Sequence, residues 1–354
     1  MLIDLFYEFS MPPGLARDES TVYAEAIAEI ELADRLGFHG VWLVEHHLMK
    51  GYSHLSKPDL VLAALTRSTG RLRLGLGVIP LPLHHPLHVA ERIATLDLLS
   101  GGRLEVGIGR GFSPQEYAAF GADMADGRGR LEESLAILRA CAGGGPVSHA
   151  GPRFPLREVE IVPRPLQHPH PPLWIAAVSP QTFDWAAAEG LGVLAGPFKP
   201  WLMVEADLAR YRAAWRGPQP MRIGMTVGLL CLRDRERARA LAAPAFRWFY
   251  GELLRVTAPV LERLQPSYEH FRDLGRFRAL LRFGARLRLL ELAGLAVVGT
   301  PADCLARLRR YRAAGVTHLC CAVGAGALPS EVVRESLELL AAEVLPVLAG
   351  ESST

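Results

Sequence analysis

The segment Trp42-Leu43-Val44-Glu45-His46-His47 ends in three side chains that can hold or transfer protons at neutral pH. Carboxylates and imidazoles are the usual general acids and bases of enzymes. The segment begins as an apolar run typical of a strand, and successive side chains of a strand point to opposite faces. At most one of His46 and His47 can therefore face a shared pocket, which favours an acid–base histidine over a metal-binding pair.

A second group of histidines, His84, His85 and His88, follows the Gly-rich run 75–82. Histidine clusters can bind metal ions, but such sites need further ligands at suitable spacing. No acidic residue is regularly spaced with these three, and the flanking prolines indicate a turn. We predict no metal site here.

Arg110 stands between Gly109 and Gly111 at the end of the apolar run 104–109. The GxGxxG spacing of a dinucleotide loop is absent. A guanidinium is costly to bury unpaired and binds phosphate or carboxylate strongly. The pattern therefore predicts an anion-binding site at this strand end.

Short apolar runs alternate with amphipathic helical patterns along the whole chain, which is typical of parallel α/β folds. The predicted strands are 2–9, 40–45, 72–79, 104–109, 173–178, 192–196, 222–229 and 317–323. The predicted helices are 21–36, 58–68, 87–99, 128–140, 179–188, 302–314 and 330–347. Eight strands predict one (β/α)₈ TIM-barrel domain over residues 1–354, with an open doubly wound sheet as the alternative. A barrel carries its chemistry at the C-terminal ends of its strands.

Two segments interrupt this alternation. Residues 142–172 are rich in Gly, Pro and His, and residues 233–295 are too long for one crossover. An insertion after strand seven lies at the catalytic end of a barrel. We predict that 233–295 is a lid with its polar middle, 265–275, least ordered; an oligomerisation insert is the alternative.

Composition excludes several classes of protein. Half of the 354 residues are hydrophobic and the net charge is only +2, which favours neither nucleic acid nor an anionic membrane as partner. No apolar stretch of about 18 residues is present, and the N-terminus has no secretion-signal pattern. Five cysteines without CxxC spacing predict buried reduced thiols, and with them a cytoplasmic protein.

Seven motifs occur together in a recognisable order. They are VWLVEHH, the Gly-rich third strand closing on HHP, LDLLSGGRLEVGIGRGF, EYAAFGADMADGR, IAAVSPQTFDWAAAEGL, VVGTPADCLARL and THLCCAVGAGA. With them the chain resembles the bacterial luciferase family of flavin-dependent monooxygenases, and most of all the catalytic α subunit of luciferase. The resemblance covers nearly the whole chain.

The resemblance implies a (β/α)₈ barrel that binds FMNH₂ supplied by a separate flavin reductase. Such enzymes react the flavin with O₂ to give a C4a-hydroperoxide, which oxygenates a small organic substrate. One alternative is an F420-dependent oxidoreductase of the same fold, and another is a non-catalytic flavin-binding relative. The presence of His46, Arg110 and Arg128 argues against the non-catalytic alternative.

The resemblance also implies roles for individual residues. His46 matches the catalytic base and Glu116 an acid near the pocket. The residues placed at the cofactor are Glu45, Gly77, Val78, Gly109, Arg110, Arg128, Val178, Ser179 and Thr182. Among these, Arg110, Arg128, Ser179 and Thr182 match the phosphate site, and Gly77-Val78 matches a non-prolyl cis peptide.

Two of these positions depart from luciferase. Gly109 replaces a reactive cysteine, and Val178 replaces an acidic residue. The flavin cradle is therefore retained while the substrate wall differs, so the resemblance does not extend to long-chain aldehyde oxidation. It further implies a homodimer formed through helices 58–68 and 87–99.

Overall fold

Eight parallel strands close into a barrel in the computed structural model, which describes residues 1–196, 199–264 and 286–351, the side chains of 258–264 excepted. The barrel strands are β1 (Leu2–Tyr7), β2 (Gly40–Leu43), β3 (Arg73–Pro80), β4 (Leu104–Gly109), β7 (Leu173–Ala177), β8 (Gly192–Ala195), β9 (Ile223–Cys231) and β11 (His318–Ala322). β9 pairs with β8 and with β11, and β11 pairs with β1, so the sheet closes. This confirms the predicted (β/α)₈ barrel.

The strands are apolar along their length because both of their faces are covered. β9 shows this best, since all nine of its residues are buried. In a barrel, each strand is covered by helices on one side and by the packed interior on the other. Its sequence is therefore a continuous hydrophobic run. Such runs identify the strands in the sequence but do not by themselves mark where they end.

Helices surround the barrel. They are α1 (Glu19–Leu36), α2 (Pro58–Ser68), α3 (Pro86–Ser100), α4 (Pro114–Ala119), α5 (Gly127–Gly143), α6 (Pro180–Ala188), α7 (Trp201–Ala214), α8 (Arg235–Leu264), α9 (Leu287–Leu292), α10 (Pro301–Ala313), α11 (Ser330–Glu343) and α12 (Leu345–Gly350). α1 shows how the sequence sets helix ends. The Asp18 side chain accepts a hydrogen bond from the Thr21 amide, and Gly37 ends the helix with φ 86°.

Several predicted boundaries differ from the structure, and two of the differences have a clear physical cause. β2 ends at Leu43 and not at residue 45, because the His46 amide donates to the Leu55 carbonyl and so leaves the sheet. The predicted helix 330–347 is two helices, α11 and α12, which meet at Val344. Pro346 has no amide hydrogen, so it starts a helix readily but cannot continue one.

One irregular segment contains strands that the sequence does not indicate, and a further such strand follows the other segment. Residues 142–172 include the antiparallel pair β5 (Val147–His149) and β6 (Leu156–Val159). Residues 233–295 begin with α8 and end with α9, after which β10 (Ala296–Gly299) pairs with residues 228–231 of β9. The segment 265–275, predicted to be least ordered, lies outside the described residues, so the predicted lid stays a prediction.

All five cysteines are buried free thiols, as predicted. Within the described residues, no helix combines the length and the apolar character that crossing a membrane requires.

Candidate active site

A cavity lies at the C-terminal ends of the strands, and all eight barrel strands or the residues just after them contribute to its wall. α8 closes one side with Leu253 and Thr257. Every residue predicted for the site lines this one cavity: Glu45, His46, Gly77, Val78, Gly109, Arg110, Glu116, Arg128, Val178, Ser179 and Thr182. Residues up to 137 positions apart in the chain are thus brought together at the end of the barrel where enzymes of this fold carry their chemistry.

His46 lies between two carboxylates. Its Nε2 atom is 3.8 Å from Glu8 Oε2, and its Nδ1 atom is 3.7 Å from Glu116 Oε1. The ring also packs against Phe112, with centroids 5.2 Å apart. Burial lowers the pKa of His46, but Glu116, Glu8 and Glu45 raise it more, so the pKa lies above the ordinary histidine value. His46 therefore holds its proton to a higher pH than a free histidine does.

Glu116 is fixed by the start of α4. The Ser113 side chain caps this helix by accepting from the Glu116 amide at 3.2 Å. Glu116 Oε1 in turn accepts from the backbone amide of His47 at 2.6 Å. The carboxylate therefore holds the backbone next to His46 as well as facing its ring.

His47 points away from the cavity, as the alternation of side chains predicts. Its Nε2 atom is 3.2 Å from Glu45 Oε1, and its ring lies edge-on to Phe120. The same Glu45 oxygen is 2.5 Å from His84 Nε2, and Arg92 is 3.5 Å from the other oxygen. Burial raises the pKa of Glu45, but these partners outweigh it and lower the pKa to about 2. Glu45 is thus an ionised anchor for the residues beside His46.

Only one of the three histidines after β3 leaves the group in the fold. His84 turns to Glu45. His85 and His88 stay close, with ring centroids 5.9 Å apart, and His85 also contacts the ring of Phe154. The three histidines therefore do not form one cluster in space.

Small residues shape the wall formed by β3 and β4. A Cβ atom on Gly77 would lie 3.2 Å from Trp42 Cβ, and one on Gly109 would lie 2.7 Å from Val78 Cγ2. A side chain at either position would crowd these neighbours, so glycine is needed for the backbone to pack this closely. The Gly77-Val78 peptide bond is cis, as predicted.

The part of the cavity wall that follows β4 and β7 is cationic. Arg110 is exposed, and within the described part of the chain no carboxylate lies within 4 Å of its guanidinium. Arg128 lies near the start of α5, beside Glu132 and over the ring of Trp185 at 4.9 Å. Ser179 caps α6, with its Oγ 3.3 Å from the Thr182 amide and 3.0 Å from Thr182 Oγ1. Two guanidinium groups and a helix N-terminus on this part of the wall suit an anion.

Two polar residues of the wall were missed from the sequence. Glu8 follows β1 directly, and Tyr52 donates a 2.8 Å hydrogen bond to Glu8 Oε1. The available signal for Glu8 is its place at the C-terminal end of the first barrel strand. No comparable signal marks Tyr52, which lies in the irregular segment between β2 and α2.

The C-terminal end of the barrel thus combines a histidine between two carboxylates with two guanidinium groups in one cavity, an arrangement typical of enzymes. The family model described as "Luciferase-like monooxygenase" matches residues 5–318, and the chain belongs to this family. It is a flavin-dependent monooxygenase, which confirms the family predicted from the motifs.

Two relatives illustrate the range of the family. The uncharacterized protein y4wF of Sinorhizobium fredii is 35% identical over 87% of this chain and 86% of that protein. The oxygenase component of the flavin-dependent trigonelline monooxygenase of Acinetobacter baylyi is 34% identical over 51% of this chain and 50% of that protein. Among solved structures, the monooxygenase RslO1 of Streptomyces bottropensis matches with a TM-score of 0.82 and 29% identity, over 98% of this chain and 100% of that one.

Proposed function

We propose that this chain is the oxygenase component of a two-component monooxygenase, which binds reduced FMN and uses O₂ to oxygenate a small organic substrate. The observation that carries the proposal is one cavity that is lined both by groups suited to an anion and by acid–base groups. Arg110, Arg128 and the start of α6 supply the first, and His46 with Glu116 supplies the second. FMN needs both, because it carries a phosphate at one end and its reactive ring at the other.

The cationic part of the wall fits the phosphate of FMN. Arg110 and Arg128 would hold it by charge-assisted hydrogen bonds, and the first turn of α6 would add backbone N–H groups. Ser179 and Thr182 supply hydroxyls beside that turn. The wall formed by Gly77, Val78 and Gly109 leaves room for a flat ring system against the backbone.

A reduced flavin bound here would supply the two electrons that let one atom of O₂ enter the substrate while the other leaves as water. His46 is the residue of this chain placed to hold and move a proton in the cavity. Leu253 and Phe249 of α8 help to exclude water, since Leu253 lines the cavity and Phe249 is fully buried against Tyr52. Exclusion of water protects reactive intermediates from side reactions.

A separate reductase completes the proposed cycle. No dinucleotide fingerprint follows the first strand of the sequence, and the Acinetobacter relative is named as an oxygenase component. We therefore propose that reduced FMN reaches this chain from another protein, a flavin reductase.

Rapid mixing of the protein, loaded with reduced FMN, against oxygenated buffer tests the proposal. We expect a transient absorbance that differs from both reduced and oxidised flavin and lasts longer than any seen with free reduced FMN. Binding of reduced F420 is measured in parallel. Binding of reduced F420 in preference to reduced FMN, without a transient after O₂, would contradict the proposal and favour hydride transfer.

We further propose a homodimer formed through α2 and α3. These helices lie side by side and expose large apolar side chains, with Leu60 68%, Leu98 45% and Leu99 53% exposed. Large apolar side chains exposed on neighbouring helices are typical of interaction surfaces.

Replacing both Leu60 and Leu99 by Glu is expected to convert the dimer to a monomer at micromolar concentration, because two charges per chain would be buried in the interface. Sedimentation velocity measures the mass. Leu202→Glu is the matched control, since Leu202 is 75% exposed on α7. A monomeric parent protein, or equal dissociation by the control, would show that α2 and α3 are not the interface.

A further inference from the structure

We infer that Glu8 is a positioning residue that holds His46, through its Oε2 atom, in one ring orientation with a proton on Nε2. The inference rests on the role proposed above for His46. The Oε2 atom of Glu8 is buried and faces the imidazole of His46. We therefore infer that Glu8 influences the reaction through that imidazole and not by its own contact with the substrate.

The two oxygens of Glu8 have different surroundings. Oε1 accepts the Tyr52 hydroxyl at 2.8 Å. Oε2 accepts no hydrogen bond from the described residues and lies 3.8 Å from His46 Nε2. A buried carboxylate oxygen without a partner is costly unless a nearby cation compensates its charge. Burial raises the pKa of Glu8, while His46 and Tyr52 act to lower it. The imidazole of His46 is therefore the group that would compensate the charge of Glu8 when it carries a second proton.

Tyr52 prevents Glu8 from turning away. Its side chain is fully buried and stacks on Phe249 with centroids 6.0 Å apart. Its carbonyl accepts from Ser10 Oγ at 2.9 Å. Glu8 is therefore held at one oxygen by a rigid donor, and the direction of the other oxygen follows from that contact.

The other acids that face His46 are already engaged. Glu116, from α4, accepts the His47 amide, and Glu45, from the segment after β2, is bound by His47, His84 and Arg92. Arg110 lines the same cavity. Glu8 directly follows β1, and its Oε2 atom faces the Nε2 side of the ring. Among the described residues this oxygen accepts no hydrogen bond. An opposite charge within about 4–6 Å shifts a pKa by about 1–3 units.

Glu8→Gln tests the inference, because it removes the charge while the amide oxygen can still accept from Tyr52. The pKa of His46 is followed by NMR of the imidazole ring in the flavin-free protein, with the resonance assigned from a His46→Asn spectrum. We expect this pKa to fall by about one unit or more in Glu8→Gln. Glu8→Asp, which keeps the charge, should restore part of the loss.

Glu29→Gln is the matched control. Glu29 is also buried and accepts a tyrosine hydroxyl, that of Tyr7, at 2.8 Å, but it does not line the cavity of His46. It should leave the His46 pKa unchanged. An unchanged His46 pKa in a folded Glu8→Gln protein, or an equal fall in Glu29→Gln, would overturn the inference.

If Glu8→Gln does not fold, Tyr52→Phe provides the second variant. It removes the donor that stabilises the charged form of Glu8, so the His46 pKa should fall again; an unchanged value overturns the inference. FMN binding is measured separately on each variant. If the parent protein does not bind FMN, only the proposed function is overturned. The inference about Glu8 is tested separately, because the His46 pKa is measured without flavin.

Discussion

Replacing His46 by Ala is expected to reduce turnover by at least tenfold, and by about 10²–10⁴-fold if the imidazole transfers a proton in the rate-limiting step. Flavin binding should stay nearly intact, because we propose that the phosphate binds to Arg110 and Arg128 and not to His46. The measurement is steady-state turnover with reduced FMN, beside the dissociation constant of FMN.

His47→Ala is the control for this experiment. His47 points to Glu45 and Phe120 and does not line the cavity, so its loss should affect stability more than turnover. Equal losses of turnover in the two variants, at equal folded fraction, would show that the wrong histidine has been chosen.

The pH dependence of turnover gives a second measure of His46. Its pKa is raised, so the transition that depends on it should lie above the ordinary histidine value of about 6.5. If the neutral ring is the active form, turnover rises with pH through this transition; if the protonated ring is active, turnover falls. In either case the transition should be absent in His46→Ala.

Arg110→Ala is expected to weaken FMN binding by about 10- to 100-fold. A charge-assisted hydrogen bond contributes about 1.5–3 kcal/mol, and each 1.4 kcal/mol is about tenfold in affinity. Riboflavin lacks the phosphate, so its affinity should be the same for the parent and the variant. Fluorescence titration measures both ligands.

Arg210→Ala is the control for charge alone. Arg210 is an exposed arginine paired with Asp184 of α6, and it does not line the cavity. FMN affinity should not change in this variant. A change of less than twofold in Arg110→Ala, or an equal loss of riboflavin affinity, would contradict the phosphate assignment.

The sequence predicts the barrel because buried parallel strands are uniformly apolar, and β9 is the best example. It does not predict β10, whose four residues begin only a few positions after the helical residues 287–292 and show no period of their own. The end of β2 is also mispredicted, since the hydrogen bond that removes His46 from the sheet goes to Leu55, nine residues later.

Glu45, His46 and Arg110 could be singled out because they follow strands, where a barrel exposes polar groups. Glu116, Arg128 and Thr182 lie in helices and were placed by the family resemblance. The contacts between the site residues were not predictable. His84 binds Glu45 from 39 positions away, and Glu8 faces His46 from another strand. These contacts form only when the barrel closes. A local sequence pattern does not show which distant residues will then lie next to each other.

The pairing of β10 with β9 separates the insertion from the rest of the barrel. Residues 233–295 start just after β9, and β10 returns the chain to the same strand, with Gly299 opposite Cys231. Because this pairing is parallel, the insertion leaves the barrel after Cys231 and returns beside Gly228 of the same strand. Its first helix, α8, is tied to that return point, since the buried Tyr250 hydroxyl donates to the Leu295 carbonyl. A chimera that carries the corresponding segment of a relative and keeps these buried contacts should change the choice of substrate while leaving the phosphate site in place.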